Sequence, residues 1–274
     1  MDLRKLKTIL LLLCIACLSQ GCKTYYGNGI AGGTYTYMHT PMSKKDTTIC
    51  KNYISARYNK DLTYYAKEDN KFGELSYHHA VSKSYINYAI GGGFFMGQYK
   101  VANLKDELAD LNKNYLYYGG VVRGKVAFNW PISPNFHWRV IGIQGSWLIE
   151  RGPFRNFKKD LVDLGNSEAG LFFKNATSTT KDLSNFSFYP YTEFSCKIGP
   201  SFIITPNIGL GYKINGIADF RTFMGLNVSY QEKVNLWIVM QEVSDGIDSQ
   251  INNDFISECQ GNNSNIQIGI SVAF

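Results

Sequence analysis

Charge is scarce in this chain. Asp, Glu, Lys and Arg make up 18% of its 274 residues, whereas aromatics make up 15%, with 19 Tyr and 17 Phe. Long hydrophobic runs are missing as well. After residue 22 no segment holds 18 consecutive apolar residues, so no membrane-spanning helix is expected there. There is no run of Lys or Arg and no basic stripe, and the formal net charge is only +6, which argues against a nucleic-acid partner. Metal-ligand spacing, GxSxG and HExxH are all absent. Glycines 91, 93 and 97 do not precede a helix, so they form no phosphate loop. No metal and no cofactor is expected.

What is present is alternation. "NIQIGISVAF" puts Ile266, Ile268, Ile270, Val272 and Phe274 on one face and polar or small residues on the other. "YLYYGGVVRGKVAFNW" does the same, with Leu116, Tyr118, Val122, Val126, Phe128 and Trp130 opposite Tyr117, Val121, Arg123, Lys125 and Asn129. In "NFSFYPYTEFSCKIGPSFIIT", Phe186, Phe188, Phe194, Ile198, Phe202 and Ile204 oppose Tyr189, Tyr191, Glu193, Ser195 and Lys197. The segment "FHWRVIGIQGSWLIERG" begins with Phe136 and Trp138 in one phase and continues with Ile141, Ile143 and Trp147 in the other. A bulge near Val140 and Ile141 is the expected cause.

Strands are expected near 51–58, 73–81, 85–99, 115–131, 136–150, 186–204, 208–215, 220–231, 234–241 and 266–274. Their joins alternate. Tight ones fall at 82–84, 132–135, 205–207 ("TPN") and 232–233, while 59–72, 100–114, 152–185 and 242–265 are long. That segregation predicts an all-β fold, a closed antiparallel up-and-down transmembrane barrel of about 10 strands, with 8 and 12 as alternatives. Its short turns would face the periplasm and its long loops the outside. The apolar face must then meet hydrocarbon, because only a closed barrel satisfies every backbone N–H and C=O there. Phe128, Trp130, Phe136 and Trp138 flank a short turn, at the depth where amphipathic rings favour the interface. Leu104, Leu108 and Leu111 share one helical face in a long join, and Phe154, Phe157, Leu161 and Leu164 share another, as loop helices packed on the rim would.

The N-terminus is read separately. Basic Arg4, Lys5 and Lys7 precede an apolar stretch ending near Leu18, the layout of an export signal. "LSQGC" resembles the lipobox of bacterial lipoproteins, which implies removal of residues 1–21 and acylation of Cys22. Ser19 and Gln20 depart from the usual pair. The division that follows is a signal at 1–21, a lipidated tether at 22–50 rising from the inner leaflet, and a barrel at 51–274. Of the other thiols, Cys50, Cys196 and Cys259 remain; a Cys50–Cys259 disulfide and free thiols are both compatible with the spacing.

The closing strand, Ile266 to Phe274, resembles the signal that the outer-membrane barrel-assembly machinery recognises, which makes that machinery an expected partner. "GELSYHHAVSKSYINYAIGGGFFMGQYKV" and "HWRVIGIQGSWLIERG" look like hairpin segments of outer-membrane barrel lipoproteins of Bacteroidota. The likeness implies a lipid-anchored barrel in the bacterial outer membrane and no particular activity.

With this phase, Arg57, Glu74, His78, Arg123, Lys125, Glu193, Lys197, Lys213 and Arg221 point into the lumen, and Glu150 joins them. A paired polar plug of side chains is the expected filling, since a barrel this narrow barely holds its own side chains. Inward Ala89, Gly91, Gly93 and Gly97 leave room for long residues opposite, or for an N-terminal segment crossing the lumen. His78 and Glu74 lie four residues apart on one face, too far for a direct bond along a strand, and no catalytic set is expected. The functional expectation is therefore a non-catalytic outer-membrane barrel with a structural, assembly or interaction role, its partners being membrane lipid and a protein met through loops 152–185 and 242–265. A small channel or anion-binding barrel and a barrel enzyme acting on lipid or peptide are the alternatives.

Overall fold

The computed structural model describes residues 24–26, 35–43, 47–62, 69–101, 106–166, 177–179, 184–213, 219–244 and 263–274. Along the chain run β1 (Thr24–Tyr26), β2 (Ile49–Leu62), β3 (Asp69–Ser82), β4 (Ile86–Lys100), β5 (Asn114–Ser133), β6 (Phe136–Arg151), α1 (Pro153–Asn166), β7 (Thr177–Thr179), β8 (Ser184–Ile198), β9 (Phe202–Lys213), β10 (Asp219–Tyr230), β11 (Val234–Ser244) and β12 (Asn263–Ala273). Ten of the strands, β2 to β6 and β8 to β12, close into one antiparallel barrel. Each pairs with the next in the chain, and β12 returns to β2 with Ile268 opposite Tyr58. No edge is left open. The short β1 and β7 stand apart as a parallel pair.

Alternation explains the wall. Outward Leu75, Ile90, Val122, Ile141, Leu210, Met224, Leu236 and Ile268 are all more than half exposed. Inward neighbours on the same strands, such as Arg123, Gln144, Asn227 and Gln267, are almost fully buried. A water-soluble protein would not display such a continuous apolar girdle. The shortest barrel strands, β11 and β12, have 11 residues each. That is about 36 Å of strand, or about 25 Å of height at a tilt of roughly 45°, the thickness of an outer-membrane apolar band. Near the short turns the band ends in rings. Trp130 lies opposite Trp138, and Trp138 stacks on Phe194 with centroids 5.4 Å apart.

The bulge sits where the phase change requires it. Val140 and Ile141 have no register partner on β8, and the β5 ladder slips between Phe128 and Asn129. Arg139 consequently faces inward while Ile141 faces outward.

One expected turn is misplaced. Thr205, Pro206 and Asn207 lie within β9, and the chain reverses instead at Gly199–Ser201, where Gly199 adopts φ 63°. Proline lacks an N–H and so reads as a turn. Here Pro190 and Pro206 are accommodated by gaps in the β8–β9 ladder, Pro190 between the pairs Phe188–Tyr212 and Tyr191–Gly209 and Pro206 between Glu193–Asn207 and Cys196–Ile204.

Candidate functional site

The lumen is where the polar chemistry of this chain collects. It is also where residues 35–43 lie, and every one of them is buried. This stretch belongs to the segment expected to be a tether; instead it fills the barrel.

Cross-strand glycines make the space. Gly97 lies opposite Tyr117 and Gly119 opposite Phe95. Gly142 lies opposite Tyr191, Gly209 opposite Phe223 and Gly269 opposite Trp237. A Cβ on Gly142 would come within 2.2 Å of the Tyr191 ring, and one on Gly269 within 2.2 Å of the Trp237 ring. The rings lie flat over these bare backbone positions rather than standing into the lumen, and a slot remains between them.

Two carboxylates organise the slot. Glu74 is fully enclosed and accepts from Arg123 Nη1 at 2.5 Å and Nη2 at 2.8 Å, and from Arg57 Nη2 at 2.6 Å. Glu193, on the facing wall, accepts from Arg139 Nη1, while Lys125 Nζ stands 3.5 Å from its other oxygen. Each acid thus serves two bases, and each triad is left with one surplus positive charge. A charge in so enclosed a place needs further oxygen partners. Gln267 and Ser195 of the wall accept from Arg57 and Arg139 at 2.7 and 2.9 Å, and residues 35–43 supply the rest. Arg57 Nη1 donates to the Tyr35 carbonyl at 3.0 Å, Lys125 Nζ to the Met38 carbonyl at 2.7 Å, and Arg139 Nη2 to the Thr40 carbonyl at 3.0 Å. His78 Nε2 lies 3.1 Å from the His39 carbonyl. Rings complete the fit. Tyr35 stacks on Phe223, and Lys125 sits 5.2 Å from the centres of both Tyr37 and Tyr191. Met38 packs with Tyr53, Ala80 and Ala89.

At the long-loop end a second seal lies over the first. Phe154 and Phe157 of α1 pack onto Phe72, Phe95, Tyr115, Tyr117, Val121 and Leu148. Pro153 begins the helix, a position that needs no N–H donor. Lys158 pairs with Glu150 at 2.8 Å; burial pushes its ammonium below the usual lysine range, and Glu150 opposes that shift. The expected rim packing of Phe154 and Phe157 is therefore present, and the side chains of Leu161 and Leu164 lie outside the described residues. A short helical turn at Asp106–Leu111 packs Leu111 against the same cluster; the side chains of Leu104 and Leu108 are likewise outside it.

Of the expected lumen set, Arg57, Glu74, His78, Arg123, Lys125 and Glu193 meet in this site, and Glu150 lies at its rim. Lys197 does not. It has the inward phase but stands beside the short turn, where it is exposed to solvent. Phase tells a side chain which way to point, not how deep it sits. Lys213 and Arg221 are on the barrel ladder opposite Asp219 and Gly211 respectively, and their side chains lie outside the described residues. Ile268, Ile270, Val272 and Phe274 face outward from the closing strand, with Ile266 partly covered beside them. Cys22 and Cys259 fall outside the described residues; Cys50 and Cys196 are free thiols. Arg139 is a central charged residue missing from the sequence-based set, although its phase, opposite to Phe136 and Trp138, could have revealed it. Among the described residues no group of His, Cys, Asp and Glu is arranged to hold a metal ion.

Closed wall, apolar exterior and charged, self-filled interior define a membrane-spanning β-barrel of ten strands whose lumen is occupied by its own chain. No family model and no curated protein matches the sequence. Among solved structures the chain is similar to an outer-membrane channel from Pseudomonas putida F1, at 6% identity and a TM-score of 0.44 over 86% of this chain and 100% of that one. It is also similar to the transport unit of the autotransporter AIDA-I from Escherichia coli, at 9% identity and a TM-score of 0.40 over 89% of this chain and 95% of that one. The translocator domain of the autotransporter NalP from Neisseria meningitidis aligns at 10% identity and a TM-score of 0.38 over 81% and 88%. Likenesses this weak say nothing of what this chain does.

Proposed function

We propose that this protein is a lipid-anchored barrel of the bacterial outer membrane, closed to flow and without a catalytic role, that acts as a structural or interaction component. Its short turns face the periplasm, and the long connections 152–185 and 242–265 offer the contact surface to a protein partner. The observation that carries the reading is the seating of residues 35–43. Three lumen cations and one histidine are matched to successive stretches of its backbone, so the segment is a built part of the wall's interior. A pore lined for transport would leave those donors to a passing solute. Planar-bilayer recording of the purified full chain tests this: silence is expected, and a reproducible open conductance overturns it.

A second reading rests on one feature. The Glu74 and Glu193 triads each carry a surplus positive charge, now covered by peptide carbonyls. Were the segment to leave, Arg57, Lys125 and Arg139 would line an anion-selective path. A deletion of residues 35–43 that conducts chloride over potassium, where the full chain is silent, is the result that reading requires.

A further inference from the structure

The buried segment has a direction. Tyr35 is held by Arg57 and packs on Tyr189 and Phe223, which lie toward the long-connection ends of β8 and β10. His39 and Thr40 meet His78 and Arg139, close to the short-turn ends of β3 and β6. The Ser43 hydroxyl donates at 3.0 Å to the Lys83 carbonyl, in the short turn between β3 and β4. From Tyr35 to Ser43 the chain therefore descends from the long-connection half of the lumen to the short-turn mouth. β2 then starts at Ile49 on that same mouth.

The opposite end of the segment is placed independently. β1 runs parallel to β7, with Tyr25 opposite Ser178. β7 lies in the long connection between β6 and β8. Thr24–Tyr26 is thus tied to one mouth of the barrel and Ser43 to the other.

We propose that the N-terminal segment threads the barrel from the long-connection mouth to the short-turn mouth, delivering Cys22 and its acyl chains to the leaflet on the long-connection side. The proposal rests on the lipid-anchored barrel reading above. Two peptide steps separate Cys22 from Thr24, a reach of at most about 7 Å. Acyl chains in the short-turn leaflet would need the chain to cross the lumen a second time, beside Tyr35–Ser43, through a slot that Arg57, Lys125, Arg139 and the flat rings already fill. The tether expected from the inner leaflet is replaced by an anchor in the outer one, and the ligand of that N-terminus is a lipid surface next to the long loops. Because β1 also holds β7, the anchor and the long connection 152–185 form one assembly at that surface.

Two measurements on the full chain in cells test it. First, in a Cys50→Ala, Cys196→Ala, Cys259→Ala background, Tyr25→Cys with Ser178→Cys should cross-link under mild oxidation, shifting migration on a non-reducing gel, while Tyr25→Cys alone should not. Second, an epitope inserted after Asn28 should bind antibody on intact cells, as should one within 245–262, while one at Pro134 should need a permeabilised outer membrane. An N-terminal epitope that behaves like the Pro134 epitope overturns the proposal. If the 245–262 and Pro134 epitopes behave alike, it is the membrane-barrel reading that fails, and the Tyr25–Ser178 cross-link alone then decides the threading: no cross-link overturns it, and a cross-link upholds it.

Discussion

The Tyr35 ring lies stacked on the Phe223 ring, with centroids 3.9 Å apart and planes 26° from parallel. Phe223 can offer its face because Gly209 opposite has no side chain; a Cβ there would lie 2.5 Å from the ring. The contact joins the threaded segment to the wall at its upper end. Tyr35→Ala removes a buried ring, a loss of roughly 3–5 kcal/mol by comparison with other large aromatic truncations. The barrel ladder does not depend on it. Limited chymotrypsin digestion of the folded protein in detergent should cut the variant near Tyr37 while leaving its heat-modifiable migration intact. Resistance equal to wild type would remove the stack from the account.

Glu74 is shared by Arg57 and Arg123, and its side chain has no exposure at all. Glu74→Gln leaves two enclosed guanidinium groups without their carboxylate, and about 3–5 kcal/mol should be lost. Arg123→Met, which leaves Glu74 paired with Arg57, should cost less. Urea unfolding midpoints in detergent, followed by gel shift, rank the two; the reverse ranking contradicts the triad.

Gly269 lies beneath the Trp237 indole. Gly269→Val forces the ring off the wall, at about 1–3 kcal/mol for overpacking. Trp237 is the one almost fully buried Trp of the four in the chain. Its displacement should therefore appear as a red shift of emission in a variant whose other three Trp are replaced by Phe. An unchanged spectrum counts against the flat seating of the ring.

Ile268 is 56% exposed in the middle of β12, between Ile238 and Tyr58. If hydrocarbon surrounds it, Ile268→Arg costs about 2–4 kcal/mol near the bilayer midplane and much less near the interface. Folding into vesicles should fall accordingly, with a smaller effect for Ile198→Arg, an outward apolar residue at the short-turn end of β8. A neutral Ile268→Arg would mean that the girdle is not in lipid.

Much of this was legible in the residues. Alternation is a local property, because successive Cβ atoms on a strand point to opposite faces whatever lies beyond. Val122 and Arg123, or Phe194 and Glu193, therefore declare their sides without any neighbour. The phase slip in "RVIG" declared a bulge in the same way, since an extra residue must reverse the phase. Pro206 misled because the signal of a missing N–H is the same in a turn and in a ladder with a gap. Lys197 misled because phase carries no information about depth.

Residues 35–43 have no periodicity to read. Their place depends on what the wall leaves empty, and that depends on register: Gly97 faces Tyr117 and Gly269 faces Trp237 only because strands far apart in the chain meet at those positions. The residue pattern by itself determined a closed apolar-walled barrel of about ten strands and the side on which most of the described charges stand. Only the tertiary structure decided that Arg139 completes the Glu193 group, that peptide carbonyls cover the surplus charge, and that the chain from Tyr35 to Ser43 runs down to the short-turn mouth. The physical reason is that facing direction is set within one strand, whereas the contents of an enclosed space are set by all ten at once.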